Sequence, residues 1–156
     1  MSKVNPIPQG HSPLVPQLTM KNSAKAMAFY QAAFGATEDF RLVEPSGKVG
    51  HVEFRIGGAV LTMADEYPDF GCLSPASIGG SPVRLQLYVA DVDGAVDRAV
   101  KAGATLVRPL RDEFYGDRTA TVADPFGYTW NLASRREELS PSAMQARWDQ
   151  MMTQSA

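Results

Sequence analysis

The chain contains one structural unit twice, and this duplication constrains its fold more than any other feature. Gly35-Ala36-Thr37 recurs as Gly103-Ala104-Thr105, Asn22 ahead of one helical stretch recurs as Asp91 ahead of another, and the Gly57-Gly58 turn recurs as Asp124-Pro125-Phe126-Gly127. A single offset, slipping by one residue within the helix, aligns all three pairs. The same offset sets Val15, Gln17 and Thr19 against Arg84, Gln86 and Tyr88, and Thr62 against Asn131. A pattern that recurs in this way marks a supersecondary piece that buries its apolar face against a copy of itself.

Periodicity gives the content of each unit. Leu14 to Met20 alternates as a strand with Leu14, Pro16, Leu18 and Met20 on one side; Pro16 has no N–H, which suits an edge position or a strand entry. Asn22 or Ser23 caps a helix through about Phe34, with Ala26, Phe29, Tyr30 and Ala33 at helical spacing and Gly35 as its stop. Thr37 to Val43, Val49 to Ile56 and Ala59 to Ala64 alternate as strands, turned by Glu44-Pro45-Ser46-Gly47 and Gly57-Gly58. The second unit repeats the order: a strand from Val83 to Val89, an Asp91-capped helix through Ala102 stopped by Gly103, and a strand from Thr105 to Leu110. A hairpin completes it, Asp117 to Ala123 returning as Tyr128 to Ala133 through Asp124-Pro125-Phe126-Gly127.

The fold class is therefore α+β: two βαβββ repeats forming curved mixed sheets around a cavity, with a C-terminal helix. Residues 1–13 read as an N-terminal arm and residues 14–134 as a single domain, with repeats 14–64 and 83–134. Residues 65–82, rich in Gly, Pro and Ser, read as a connecting loop whose Tyr67 and Phe70 either cover a cavity or anchor the loop. Residues 135–156 form a C-terminal helix and tail, opening at Ser140-Pro141; Met144, Trp148, Met151 and Met152 make a stripe for packing on the domain or on a second subunit.

Composition narrows the function classes. A length of 156 residues suits one domain with a continuous core. The lone Cys72 excludes an internal disulfide and points to a reducing compartment; it sits in the loop with no obvious His and Asp partners and is given no role. The formal net charge of −2 is spread along the chain, which argues against nucleic acid or an anionic membrane as the main partner. No apolar run approaches the roughly 20 residues that cross a bilayer, and the polar, Pro-rich N-terminus is no signal sequence. The expectation is a soluble, cytoplasmic protein.

In each unit one helix covers one face of the sheet. The other faces carry Gln17, Thr19, His51, Glu53, Arg55 and Thr62 in the first unit, and Arg84, Gln86, Tyr88 and Asn131 in the second. A sheet with so polar a second face most economically surrounds a solvent-accessible ligand cavity.

The paired units, the Ala28-Phe29-Tyr30 near the end of the first helix with Phe34-Gly35-Ala36 after it, Asp91-Val92-Asp93, and Gly116-Asp117-Arg118 leading to Asp124-Pro125-Phe126-Gly127-Tyr128-Thr129-Trp130 resemble the vicinal oxygen chelate superfamily. Within that superfamily of glyoxalases, bleomycin-resistance proteins and dioxygenases, the chain is most similar to the PhnB-like branch. The superfamily includes metal-dependent lyases, isomerases and dioxygenases as well as metal-free drug-binding proteins, so the resemblance implies a fold more than a reaction. Its metal-ligand positions fall here on Val15, Thr62, Arg84 and Asn131, which supply no donor, a weak oxygen, a permanent cation and another weak oxygen. PhnB-like relatives often have His where this chain has Gln17 and Gln86; those two with Glu53 make a weak alternative set, to which His11 or His51 would add one ligand.

The expectation is accordingly a small-molecule binding protein with no tightly bound catalytic metal. Its ligand residues are Gln17, Glu53, Thr62, Arg84, Gln86, Tyr88 and Asn131, a set suited to a polar or anionic planar molecule that stacks on aromatic rings. Glu53 beside Arg84 or Arg55 is the candidate general base with Tyr88 as proton donor, or else part of a satisfied ion pair. The alternative is a glyoxalase-type lyase or dioxygenase using Glu53 and a divalent metal. The resemblance also implies a homodimer.

Overall fold

The computed structural model describes residues 4–155; Met1 to Lys3 of the expected arm and Ala156 of the tail lie outside the described residues. The elements in chain order are β1 (Gln17–Met20), α1 (Ser23–Phe34), β2 (Thr37–Val43), β3 (Val49–Ile56) and β4 (Ala59–Asp65). Then follow α2 (Pro75–Ile78), β5 (Arg84–Tyr88), α3 (Val92–Ala102), β6 (Thr105–Asp112), β7 (Asp117–Ala123), β8 (Thr129–Arg135) and α4 (Pro141–Gln154). The caps are those the sequence asks for. The Asn22 side chain accepts from the Lys25 N–H at 2.9 Å, and Asp91 accepts from the Gly94 N–H at 3.1 Å. Gly35 closes α1 at φ 65°, a left-handed conformation that a side chain would strain.

Several strand ends differ from the alternation pattern by one or two residues, and the start of β1 by three. β1 begins at Gln17 rather than Leu14, and Leu14 is 82% exposed instead of joining the core. Pro16 marks the strand entry: its carbonyl accepts from the Thr62 N–H at 3.0 Å, while it has no N–H to offer a neighbour. The connecting loop is also less irregular than its composition suggests, since Pro68–Phe70 forms a short 3₁₀ turn and Ser74 leads into α2 with Pro75 at its first position.

Each unit makes one mixed sheet, ordered β1-β4-β3-β2 in the first and β5-β8-β7-β6 in the second. The β1/β4 and β5/β8 pairs are parallel and the others antiparallel. Register repeats with the sequence: Gln17 lies opposite Thr62, and Gln86 lies opposite Asn131. A second correspondence ties each helix start to the end of its sheet. The Ser23 N–H donates to Asp65 Oδ1 at 2.7 Å, and at the matching place the Val92 N–H donates to Ser134 Oγ at 3.0 Å.

Helices α1 and α3 pack on each other while each covers its own sheet, so one core runs through both units. Tyr30 occupies the junction, stacked on Phe54 of the first sheet at 5.8 Å and edge-on to Trp130 of the second at 5.4 Å. Beside it lies the buried carboxylate of Asp124. Oδ2 accepts from the Tyr30 hydroxyl at 2.7 Å and from Trp130 Nε1 at 3.0 Å, and Oδ1 accepts from the N–H groups of Phe126 and Tyr128, each at 2.9 Å. The Asp-Pro-Phe-Gly turn is thus a bolt between units as well as a hairpin turn. Burial first, then the Asp124 charge, holds the Tyr30 phenol well above its ordinary pKa, so it stays a donor.

Candidate functional site

The faces of the sheets turned away from the helices carry two matching rows of polar side chains. Across the first sheet Gln17, Thr62 and Glu53 stand side by side on β1, β4 and β3. Across the second, Gln86, Asn131 and Thr121 do the same on β5, β8 and β7. All seven expected ligand residues lie on these faces, but on two sheets: Gln17, Glu53 and Thr62 on one, Arg84, Gln86, Tyr88 and Asn131 on the other. Neither of the two cavities lined by Gln17 and Thr62 includes Arg84, Gln86, Tyr88 or Asn131.

The rows differ in what they leave free. In the second, Asn131 Nδ2 donates to Gln86 Oε1 at 3.4 Å and the Thr121 hydroxyl donates to Asn131 Oδ1 at 3.4 Å, so the amides engage one another. In the first, Thr62 is too short to reach across in the same way. Gln17 is hydrogen-bonded to no side chain among the described residues.

Loop 65–82 folds over the first row. A cavity of about 260 Å³ lies beneath it, lined by Gln17, Thr62, Gly50, His51, Tyr67 and Cys72 among others. Of the two loop aromatics, Tyr67 lines this space whereas Phe70 is 81% exposed and covers nothing. Tyr67 is held from both sides: its hydroxyl donates to Glu44, which holds the phenol above its ordinary pKa, and Lys48 Nζ sits 3.6 Å from its ring centre. Glu66 pins the far side of the loop by accepting from the Ser74 hydroxyl at 2.6 Å and the Ser74 N–H at 2.7 Å. The hydroxyls of Ser74 and Ser77, followed by the Ser74 N–H, hold that carboxyl down at about 2.

The structure changes the partner expected for Glu53. Arg84 lies on the other sheet, and Arg55 is committed to Asp39, with Nε 2.8 Å from Oδ2. Glu53 Oε2 instead lies 3.2 Å from His11 Nε2, with both side chains mostly shielded. No sequence signal links an arm residue to a mid-strand carboxylate, because the contact depends on where the arm runs.

A second network escaped the sequence reading. Tyr88 is half-exposed and donates to the buried Asp117 Oδ2 at 2.6 Å, while Arg135 Nε reaches Asp117 Oδ1 at 3.2 Å. The Asp117 hydrogen bond, then burial, raises the Tyr88 phenol pKa. Glu113 nearby is pushed up by burial but held below its ordinary value by hydrogen bonds from Arg111 and Thr119. These groups satisfy one another and stiffen the second polar face. Only the shared alternation of β7 and β8 hinted at the network.

The sequence pattern of the Glyoxalase/Bleomycin resistance protein/Dioxygenase superfamily matches residues 14–132. The chain belongs to this superfamily. An uncharacterized protein of Mycobacterium tuberculosis (strain H37Rv) is 40% identical over 136 residues, covering 85% of this chain and 80% of the relative. Among solved structures, a gene product of Arabidopsis thaliana is 30% identical, with a TM-score of 0.64 over 78% of this chain and 98% of that one. The fosfomycin resistance protein FosX from Listeria monocytogenes, complexed with Mn(II) and sulfate, shares the fold with a TM-score of 0.63 at 17% identity, over 88% of this chain and 97% of its own.

The metal that some members of the superfamily use does not suit the donors present. Among the described residues no three of His, Cys, Asp and Glu converge. The nearest set is the Glu53 carboxylate and the His11 imidazole already facing each other, with the Gln17 amide and the Thr62 hydroxyl, on the first sheet and the arm across it. Arg84, at one expected ligand position, would repel a divalent ion.

Proposed function

We propose that this superfamily member falls in the PhnB-like branch and binds a small polar or aromatic molecule on the polar faces of its sheets without a tightly held catalytic metal. The observation that carries the reading is the cavity lined by Gln17, Thr62 and Tyr67, where an exposed, uncommitted carboxamide and an aromatic ring border the same space. Gln17 and Thr62 supply directed hydrogen bonds, Tyr67 supplies a stacking surface, and Glu53 is a shape-fixing ion partner of His11 rather than a general base. Arg84, exposed at the entry of β5 and in no ion pair among the described residues, gives the second face an attraction for anionic groups. Because the two rows stand on separate sheets, a homodimer that sets the first sheet of one copy against the second sheet of the other would combine them. The exposed thiol of Cys72 fits a reducing, cytoplasmic setting.

Thermal-shift screening of the purified chain against aromatic antibiotics and planar metabolites tests the reading. Stabilisation by one chemical class, lost in Gln17→Ala, is expected; no shift across the library refutes it. Elemental analysis of protein purified without chelators or affinity tags is expected to find no stoichiometric Zn, Ni, Fe or Mn. Stoichiometric metal, with glutathione-dependent turnover of methylglyoxal abolished by Glu53→Ala, would establish the lyase alternative. Sedimentation at micromolar concentration tests the dimer.

A further inference from the structure

The N-terminal arm lies across the polar face of the first sheet. Arg55 Nη1 donates to the Gly10 carbonyl at 3.3 Å, and His11 Nε2 meets Glu53 at 3.2 Å with the two side chains only 14% and 17% exposed. The His11 N–H closes a turn on the Pro8 carbonyl at 3.1 Å, and His11 Nδ1 lies 3.4 Å from the Gln9 carbonyl. Both ring nitrogens therefore face oxygen atoms, which fixes the plane of the ring against Glu53.

The arm encloses space rather than filling it. Pro6, Ile7, Pro8 and Pro13 wall a cavity of about 270 Å³ that also includes Gln17 and Thr62. Those same two side chains line the cavity under loop 65–82, so the two spaces adjoin across one polar row. Three prolines limit the conformations the arm loses on settling, which lowers the cost of holding it there.

We propose that residues 6–13 are a strap forming the outer wall of the ligand site, latched by His11 on Glu53, and that the space beneath it takes a small neutral aromatic amide. This rests on the small-molecule reading above. The strap offers rigid apolar surface for a ring, and Gln17 offers a carboxamide that pairs reciprocally with another amide beside the Thr62 hydroxyl. The charged side chains next to the cavity already have partners, Glu53 in His11 and Arg55 in Asp39, so neither is left open for a charged ligand.

The test is a two-dimensional NMR titration of the isotope-labelled full chain with benzamide, repeated on a variant lacking residues 1–11 and on His11→Ala, His11→Gln and His11→Leu. Expected are shifts at His11, Thr62 and the Gln17 side-chain amide, affinity lowered about tenfold or more without the arm, and about tenfold in His11→Ala. His11→Gln should recover most of the affinity, because its amide can still donate to Glu53, whereas the similarly sized but apolar His11→Leu should stay as weak as His11→Ala; equal recovery in His11→Leu would mean that the ring only fills space and would overturn the latch. Equal affinity with and without the arm, shifts confined to Gly50, His51 and Tyr67, or no binding by the full chain overturns the proposal. Should library compounds stabilise full and arm-less protein alike, the strap falls and the small-molecule reading stands. Should nothing stabilise either, that reading falls as well.

Discussion

Replacing Asp124 by Asn tests whether one carboxylate bolts the two units together. The side chain keeps its volume, but one of two acceptor oxygens becomes a donor. With the amide oxygen at the Oδ1 place, the Phe126 and Tyr128 N–H groups keep their partner, and the new NH₂ faces the Tyr30 hydroxyl and Trp130 Nε1. The Tyr30 hydroxyl can rotate and accept; the indole only donates. One buried donor is left without a partner and the remaining bonds lose their charge assistance, together a cost of about 3 kcal/mol. For a chain of this size that lowers Tm by roughly 6–12 °C, and with a total stability of about 5–15 kcal/mol the variant still folds. Urea unfolding followed by tryptophan fluorescence and circular dichroism measures the cost. Trp130→Phe removes the stranded donor, so the double variant should cost less than the sum of the singles by about 1 kcal/mol. A loss below about 1 kcal/mol for Asp124→Asn, or strict additivity with Trp130→Phe, refutes the reasoning.

Gly127→Ala should destabilise by about 2–4 kcal/mol in the same urea experiment, because Gly127 has φ +94° and a Cβ there would sit 2.7 Å from Pro75 Cβ; a change below about 0.5 kcal/mol contradicts it. Glu66 has its folded pKa lowered to about 2, so its hold on loop 65–82 is complete above its ordinary pKa of 4.5 and is lost as pH falls toward 2. Hydrogen exchange of the Ser74 amide should therefore speed up progressively below about pH 4.5, beyond its intrinsic rate, and Glu66→Gln should already be fast at neutral pH with a flat profile; identical profiles sink the idea. Removing residues 140–156 should shift Tm by only a few degrees, since α4 has no fully buried residue and meets the domain mainly through Trp148 on Phe114 and Arg147 on Glu137. If the Trp148, Met151 and Met152 stripe carries self-association, sedimentation of that variant should show monomer where the full chain dimerises.

The units were legible because their signals are local. Asn22, Gly35, Asp91 and Gly103 set helix ends by capping and backbone freedom, and these need no tertiary information; both helices, β2, β3 and β7 fall where periodicity puts them. The repeat matched Gln17 to Gln86 and Thr62 to Asn131, and the two sheets pair these residues alike, Gln17 with Thr62 and Gln86 with Asn131. What stayed hidden depends on long-range placement: the His11–Glu53 contact, Tyr67 inward and Phe70 outward from one short loop, and the buried Asp117 under Tyr88 and Arg135. Leu14 shows the same limit from the other side. Alternation extended the strand to it, but Pro16 cut the ladder and left Leu14 in water.

The two units kept one backbone plan and diverged in how their polar faces are completed. At matching positions Asn131 reaches Gln86 and closes the second row on itself, whereas Thr62 leaves Gln17 open. Where the first sheet is left unsatisfied it is also flanked, on one side by the arm and on the other by loop 65–82, although Gln17 itself stays exposed. Where the second is satisfied internally, through Tyr88, Asp117 and Arg135, none of the cavities described above forms over Gln86 and Asn131. An open amide between two cavities favours binding, because the ligand replaces water at groups that have no protein partner to surrender. A closed row must first give up its own hydrogen bonds. The proposed recognition of a neutral ligand is therefore placed on the first unit, with the second contributing stiffness and, in the same proposal, attraction at a distance through Arg84.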